Sequence, residues 1–239
     1  MQAPGPVINP LLEPDRLRPQ FDREGCVHIR DFLTADTAAR LHRCLEQETD
    51  YRLTITGPQG TKRVKQGAAL TDQQQAQMAS DVYAAARDKF QFLYDSQPMS
   101  NEGEPYRDSA HYLAGVCEFL NGPAFLQFCR RVTGMGAIQF TEAQATRYGR
   151  GHFLSTHDDD DQGKSKRLAA YVLNMTPGWR ADWGGVLMFP DKQGNIERGY
   201  SPAYNALNIF RVPRLHMVSM VMPFAAGGRY AVTGWLRAR

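Results

Sequence analysis

Residues 206–237 read ALNIFRVPRLHMVSMVMPFAAGGRYAVTGWLR and contain three short runs rich in Val, Ile, Leu, Phe, Tyr and Thr. These residue types favour strands, and the Pro and Gly residues between the runs favour turns. The intervals are too short for a crossover helix of about a dozen residues, so parallel pairing is disfavoured. The stretch therefore predicts neighbouring antiparallel strands.

The same pattern extends upstream to about residue 136. It yields three more candidate strands, namely AIQFTEAQATRY at 137–148, LAAYVLNM at 168–175 and GGVLMF at 184–189. Six closely spaced strands with little room for helices between them predict an antiparallel sandwich or barrel.

Before residue 136 the sequence has a helical character. A short strand is predicted at 26–32, and Thr34 is a candidate cap for the helix that follows. A long helix is predicted from Thr71 to about Tyr94, because apolar residues recur there at helical spacing. The apolar stripe of this helix comprises Val82, Ala86, Phe90 and Leu93. Two shorter helices are predicted at 111–120 and 124–132. These helices are expected to pack against one face of the sheet.

The composition is that of one ordinary globular domain. The 239 residues include 28 Lys and Arg against 25 Asp and Glu, giving a formal net charge of +3, and 42% are hydrophobic. A disordered chain is excluded, and a near-neutral balance weakens nucleic-acid or membrane-surface binding. The N-terminus lacks a basic region followed by an apolar run, so a cytoplasmic protein is expected. The four scattered cysteines are predicted to be free thiols.

The segment HDDDD at 157–161 offers a candidate metal site. In an extended segment, His157 and Asp159 would project to the same face. With His216, in a later candidate strand, they could form a set of two histidines and one carboxylate that leaves coordination positions of iron open. Four consecutive carboxylates also fit a solvated acidic loop at a strand end, which is the alternative interpretation.

Arg229 strengthens the metal hypothesis. It stands in an otherwise apolar candidate strand, 13 residues after His216. A guanidinium that points into a barrel needs an anion, and its planar fork suits a carboxylate. A dicarboxylate that is bound to the metal at one end would therefore need such a residue at the other end.

The ordered combination of motifs resembles a known family. It runs from Tyr148 through HFLSTHDDDD, Tyr171 in AAYVLN, WGGVLMF, ALNIF and His216 to GGRYAVTGW. Over about residues 137–237 it is similar to the iron(II)- and 2-oxoglutarate-dependent oxygenases, in their prolyl 4-hydroxylase-like branch. The resemblance implies a mainly β fold with N-terminal helices: a double-stranded β-helix, which is a jelly-roll or cupin-like barrel. We therefore expect one domain over 1–239, with helical support and N-terminal strands over 1–135 and the barrel core over 136–239.

The resemblance also implies roles for individual residues. His157, Asp159 and His216 would bind iron(II) and form the catalytic centre, and Arg229 would bind the distal carboxylate of 2-oxoglutarate. Tyr148 and Tyr171 match tyrosines that line the co-substrate pocket in this branch. The implied cofactors are iron(II), 2-oxoglutarate and O2, with ascorbate as a candidate accessory reductant.

The implied activity is hydroxylation of an unactivated C–H bond, with prolyl residues of a protein or peptide as the leading substrate. The basic segment 52–70 fits either a loop that binds such a polypeptide or a solvated surface loop. One alternative is an oxygenase that acts on a free amino acid, a small biosynthetic intermediate or a nucleic-acid base. Another is a cupin-like metal-binding barrel without oxygenase activity, which would not need Arg229. The oligomeric state stays open.

Overall fold

A computed structural model of the chain describes residues 5–57, 60–65, 71–100, 106–160, 162 and 166–239. Its α-helices are α1 (Pro14–Glu24), α2 (Ala35–Arg43), α3 (Asp72–Ala85), α4 (Tyr112–Asn121) and α5 (Pro123–Thr133). A π-helical turn at Cys44–Glu48 continues α2, and a 3-10 turn covers Ala181–Trp183. Within these ranges, every helix is too short or too polar to span a membrane.

The described residues form thirteen strands in one antiparallel sheet. The strands are β1 (Cys26–Ile29), β2 (Arg52–Gly57), β3 (Gly60–Lys65), β4 (Phe92–Ser100), β5 (Phe140–Thr141), β6 (Ala143–Tyr148), β7 (Phe153–His157), β8 (Arg167–Met175), β9 (Leu187–Pro190), β10 (Ile196–Tyr200), β11 (Tyr204–Arg211), β12 (His216–Val218) and β13 (Arg229–Arg237). The central order is β1-β11-β8-β13-β6-β4-β7-β12-β9-β10, and the β2–β3 hairpin pairs with β4.

The sheet curls so that strands distant in its order face each other. Val172 of β8 and Phe210 of β11 share a buried apolar cluster with Leu187 and Phe189 of β9. These strands thus form the two layers of a barrel, with side chains of both layers meeting inside it. The predicted class, a mainly β barrel with helices attached, is confirmed.

The helices cover the outer side of the larger layer. Alternate residues of β8, including Tyr171 and Leu173, share a large buried cluster with Leu41 of α2, Leu113 of α4 and Phe125 of α5. The intervening residues of β8 point into the barrel, because successive side chains of a strand lie on opposite faces. The helices therefore buttress the barrel as predicted.

The long helix predicted from Thr71 to about Tyr94 is partly wrong. Thr71 and Gln74 form a reciprocal capping box, so the start of α3 agrees with the prediction. However, α3 ends at Ala85, and the predicted stripe residues Phe90 and Leu93 lie beyond it. Leu93 belongs to β4, which pairs with both β6 and β7. Backbone pairing on two sides outweighs a helical spacing that arose by coincidence.

Other differences concern short elements. The helix α1 and the strands β7 and β10 were not predicted, and β12 covers only the first three residues of the strand-like run HMVSMVM at 216–222. In the basic segment 52–70, β2 and β3 form a hairpin. Residues 58–59 and 66–70 of that segment lie outside the described residues, as does Asp161 of the HDDDD run.

Candidate active site

The barrel brings the two histidines of the predicted metal site face to face. His157 ends β7, His216 begins β12, and the two residues are direct partners in the antiparallel register. Their ring centroids lie 4.1 Å apart. The carboxylate of Asp159 lies between them, with its two oxygens 3.4 Å from His157 Nε2 and 3.4 Å from His216 Nε2. The structure thus brings together all three predicted ligands.

The geometry that places Asp159 differs from the predicted one. The prediction assumed an extended segment, but β7 ends at His157 and Asp159 has a left-handed backbone with φ of 62°. A left-handed residue is uncommon outside glycine, although Asp tolerates it better than most residues. The carboxylate therefore reaches His157 through a turn of the chain and not through strand alternation.

The three groups converge without a proton donor between them. His157 Nδ1 lies 3.0 Å from the carbonyl oxygen of Ser155, and His216 Nδ1 lies 2.8 Å from that of Arg214. A carbonyl oxygen only accepts, so each Nδ1 must donate, and in a neutral imidazole Nε2 then carries a lone pair. Both lone pairs face a carboxylate, which also only accepts. A divalent cation satisfies such a set of acceptors.

The surroundings hold His216 and Asp159 in ligand-ready states. Desolvation, reinforced by the neighbouring His157, lowers the pKa of His216 to about 4 and keeps its ring neutral at pH 7. For Asp159, burial opposes ionisation, but hydrogen bonding and the positive charge that His157 and His216 carry when protonated outweigh it and hold the pKa below its ordinary value, so the carboxyl group is ionised at neutral pH. A neutral imidazole beside an ionised carboxylate is the form in which these side chains bind metal.

Arg229 lines a cavity that His157, Asp159 and His216 also line. It is almost completely buried, with 2% of its surface exposed. Its Nε atom has no hydrogen-bond partner among the described residues. Its guanidinium carbon lies 4.9 Å from the ring centroid of Tyr148, and burial lowers the pKa of Arg229. A buried cation with an unused donor fits an anionic ligand, because an unpaired buried charge is costly.

The two glycines of the WGGVLMF motif allow close packing at the site, and Gly185 makes room for this arginine. Gly184 and Gly185 both have positive φ, at 73° and 64°. A Cβ on Gly185 would lie 3.2 Å from Cδ of Arg229, and one on Gly184 would collide with the carbonyl oxygen of Met220. The motif therefore combines a backbone conformation that favours glycine with a close approach to the site.

The two predicted tyrosines have different positions. The ring of Tyr148 is buried beside Arg229, whereas Tyr171 packs against Phe125 of α5 on the helix-facing side. Although Tyr171 borders the cavity, its hydroxyl donates to the carbonyl oxygen of Glu142. The structure thus does not bring the Tyr171 hydroxyl to Arg229.

A single cavity of about 490 Å³ connects the histidines, Asp159 and Arg229. Tyr94 of β4, which sequence reasoning placed at the end of a helix, stacks on Tyr148 with ring centroids 5.1 Å apart. At the mouth, the guanidinium of Arg167 lies over the indole ring of Trp235, at 3.8 Å from its centroid. If β4 had been predicted as a strand, the alternation of its side chains between two faces could have identified Tyr94 as a residue of the cavity wall.

A second group with metal-ligand atoms does not fit a metal as well. Cys44, Glu48 and His111 have such atoms within 4.8 Å of one another. However, Arg40 binds both carboxylate oxygens of Glu48 at 2.9 Å, and the two ring nitrogens of His111 contact the backbone of Glu48 and Leu113. These partners already satisfy the group.

Comparison with known proteins agrees with the motif order and the fold. Residues 143–237 match the family model of the 2OG-Fe(II) oxygenase superfamily. The prolyl 3-hydroxylase OGFOD1 of Mus musculus is 25% identical over 165 residues, which cover 66% of this chain. The matched region spans only 28% of the length of that relative.

Solved structures share the whole architecture at low sequence identity. A prolyl-4-hydroxylase of Pseudomonas putida has a TM-score of 0.62 at 17% identity, covering 95% of this chain and 99% of that one. A prolyl hydroxylase of Trichoplax adhaerens, solved in complex with a peptide fragment of the hypoxia inducible factor oxygen degradation domain, has a TM-score of 0.61 at 15% identity, covering 94% and 90%. Over residues 143–237 the chain is thus similar to the 2OG-Fe(II) oxygenase superfamily, and it shares its fold with prolyl hydroxylases of solved structure.

Proposed function

We propose that the chain is an iron(II)- and 2-oxoglutarate-dependent dioxygenase that hydroxylates prolyl residues of a protein or peptide. The observation that carries the proposal is the convergence of His157, Asp159 and His216 in the cavity that also contains Arg229. Three acceptors without a donor suit a divalent cation, and a buried guanidinium with an unused N–H suits a carboxylate.

In this proposal, His157, Asp159 and His216 hold iron(II), and Arg229 holds the distal carboxylate of 2-oxoglutarate. The bound iron would supply the oxidation in which one oxygen atom of O2 enters the substrate C–H bond as hydroxyl and the other enters succinate, with release of CO2. The buried side chains of Tyr148, Leu187 and Val218 line the cavity and exclude water from the co-substrate.

A polypeptide substrate is supported by the cavity mouth and by the relatives. The Nε atom of Arg167 is buried without a hydrogen-bond partner among the described residues, where the side chain stacks on Trp235. A fixed guanidinium beside an aromatic ring suits a backbone carbonyl next to an apolar residue such as proline. The mouse relative and both structural neighbours are named as prolyl hydroxylases.

Ascorbate is part of the proposal as an accessory reductant, on the strength of the sequence resemblance. We expect it to raise the number of succinate molecules that each chain forms before inactivation. Progress curves recorded with and without ascorbate would measure this number, and identical curves would remove ascorbate from the proposal.

The testing experiment measures succinate formation from 2-oxoglutarate by the iron(II)-loaded protein, with and without proline-containing peptides. We expect peptide-stimulated succinate and a mass gain of one oxygen on the peptide. Peptide-independent succinate would move the substrate to small molecules or nucleic-acid bases. Absence of succinate under every condition would favour the cupin-like metal-binding barrel. The Asp159→Ala variant is the control for adventitious iron chemistry.

A further inference from the structure

The cavity has a closed end and an open end, which β6 and β13 define. At the closed end, Arg229 is opposite Tyr148 in the register, and these residues are 2% and 4% exposed. At the open end, Gln144 is opposite Thr233, and both are partly exposed. Gln144 lies four residues from Tyr148, or about 13 Å along the strand. A substrate that enters from solvent reaches Gln144 before the proposed co-substrate site.

Gln144 is held beside Tyr94. Its Nε2 atom donates to the Tyr94 hydroxyl at 3.5 Å, which is at the long limit for such a bond. The Tyr94 ring is fixed between Tyr148, with centroids 5.1 Å apart, and Phe92, with centroids 5.4 Å apart. This packing gives the pair a defined position in the wall of the cavity.

The pair has unused hydrogen-bonding capacity. Across the described ranges of the chain, Tyr94 donates its hydroxyl proton to no protein atom, and Gln144 accepts no hydrogen bond at Oε1. By contrast, Thr146, which lies between Gln144 and Tyr148 on β6, already donates its hydroxyl to the carbonyl of Ala231. Burial raises the pKa of Tyr94, so its hydroxyl stays protonated and able to donate.

This arrangement matches the chemistry of a peptide group. An extended residue presents its carbonyl oxygen, an acceptor, and its N–H, a donor, on the same side of the backbone, while the pair presents a hydroxyl donor and an amide acceptor. Neither Gln144 nor Tyr94 carries a charge at neutral pH. They therefore suit a neutral backbone amide better than the ammonium and carboxylate groups of a free amino acid.

We propose that Gln144 and Tyr94 are specificity-determining residues that bind the backbone of an extended residue of the polypeptide substrate beside the hydroxylated residue. Tyr94 donates to the carbonyl oxygen of that residue, and Gln144 Oε1 accepts from the N–H of the same residue. This inference rests on the proposed function and adds to it the group by which a polypeptide is distinguished from a free amino acid.

The test compares wild type with Gln144→Met, Tyr94→Phe and the control Gln97→Met. Gln97 lies on β4 outside the lining of this cavity. The probe is a pool of acetyl-X-X-Pro-X-X-amide peptides, with free L-proline as the comparator. For each protein, succinate formation gives the half-saturating concentrations of the peptide pool and of 2-oxoglutarate separately.

We expect each cavity variant to raise the half-saturating peptide concentration about tenfold, the effect of one lost hydrogen bond. The 2-oxoglutarate requirement should change by less than about twofold, and Gln97→Met should behave as wild type. A merely structural pair would act through Tyr148 and alter both requirements together, which would overturn the inference.

Two further outcomes also decide the matter. An unchanged peptide requirement in both variants, or a wild type that prefers free L-proline to the pool, would overturn the amide-binding role while leaving the oxygenase intact. Failure of the wild type to form succinate with any substrate would instead remove the proposed function, and this inference with it.

Discussion

The two faces of β8 differ in what they bury. On the face toward the helices, Leu173 and Met175 are fully buried in an extensive apolar cluster. On the other face, Ala170 and Val172 border a cavity that contains Arg229, a buried cation with an unused donor. One strand therefore separates a packed core from a site in which particular polar atoms, such as Arg229 Nε, have no hydrogen-bond partner among the described residues.

This difference suggests that stability and function have separate sources in this fold. Apolar burial against the helices stabilises the barrel, at about 25 cal/mol per Å² of apolar surface. The cavity face instead carries groups that cost stability until a ligand binds them. Truncation of a side chain on the helix-facing side should therefore lower the free energy of unfolding and leave ligand binding unchanged. Substitution of a polar side chain on the cavity face should instead reduce ligand binding without lowering the free energy of unfolding.

The largest effect is expected at the candidate metal site. Asp159→Ala should weaken binding of manganese(II), used as a redox-stable probe, more than about a hundredfold, because removal of even an outer-shell partner costs 10- to 100-fold. The melting temperature should stay close to that of wild type, since the apolar core is unchanged. Calorimetric titration and thermal unfolding measure the two quantities.

Asp160→Ala is the matched control, because Asp160 is exposed in the same acidic run. It should retain manganese affinity. Loss of affinity in Asp160→Ala with retention in Asp159→Ala would show that the ligand had been assigned to the wrong carboxylate.

On the helix-facing side, Leu173→Ala should lower the free energy of unfolding by about 2–5 kcal/mol, the cost of a cavity in a packed core. Below its melting temperature the variant should bind metal and 2-oxoglutarate as wild type does. Val172→Ala, on the adjacent cavity-facing position, should cost less, because Val172 already borders open space. Denaturant unfolding measures both, and equal losses would contradict the asymmetry of the two faces.

Arg229→Met should raise the free energy of unfolding, whereas Leu173→Ala lowers it. In the absence of ligand, removal of the buried cation should stabilise the protein by about 1 kcal/mol, since apolar replacements of buried charges are often stabilising. The increase in melting temperature that 2-oxoglutarate causes in the metal-loaded wild type should disappear. Arg229→Lys should restore it only in part, because a point charge cannot replace the bidentate fork. A persisting 2-oxoglutarate effect in Arg229→Met would show that another residue binds the carboxylate.

The smallest effect concerns the thiols of the helix-facing core. Burial raises the pKa of Cys117 to about 12 and that of Cys44 to about 11. Since only the thiolate reacts, iodoacetamide at pH 8 should leave both unlabelled in the native protein and label both in denaturant. Mass spectrometry of the labelled peptides checks this result. Rapid native labelling would indicate that the helices open readily from the barrel.

The sequence predicted the chemistry of the site better than its geometry. His157 and Asp159 stood out by their spacing of two residues, His216 by its place in a later candidate strand, and Arg229 because a cation in an otherwise apolar strand needs a partner. The left-handed turn at Asp159 and the register that pairs the two histidines left no comparable signal. The predicted residues therefore converge, but by a different route along the backbone.

Strand phase was the main source of error. The run LAAYVLNM is apolar on both faces, so its alternation could not show which side Tyr171 occupies. For the same reason, Phe90 and Leu93 could extend a helical stripe although Leu93 lies in β4. The partners that settle such phases are distant in sequence, as in the pairing of β4 with β6 and β7, and local spacing does not contain them.

The most direct test of the account is an anaerobic calorimetric titration of 2-oxoglutarate into wild type and Arg229→Met, each with and without iron(II). We predict binding of one 2-oxoglutarate per chain to the iron-loaded wild type, much weaker binding without iron, and none detectable to a folded Arg229→Met variant. Equal 2-oxoglutarate binding with and without iron, or undiminished binding to Arg229→Met, would contradict the claim that the metal and this arginine hold the co-substrate between them.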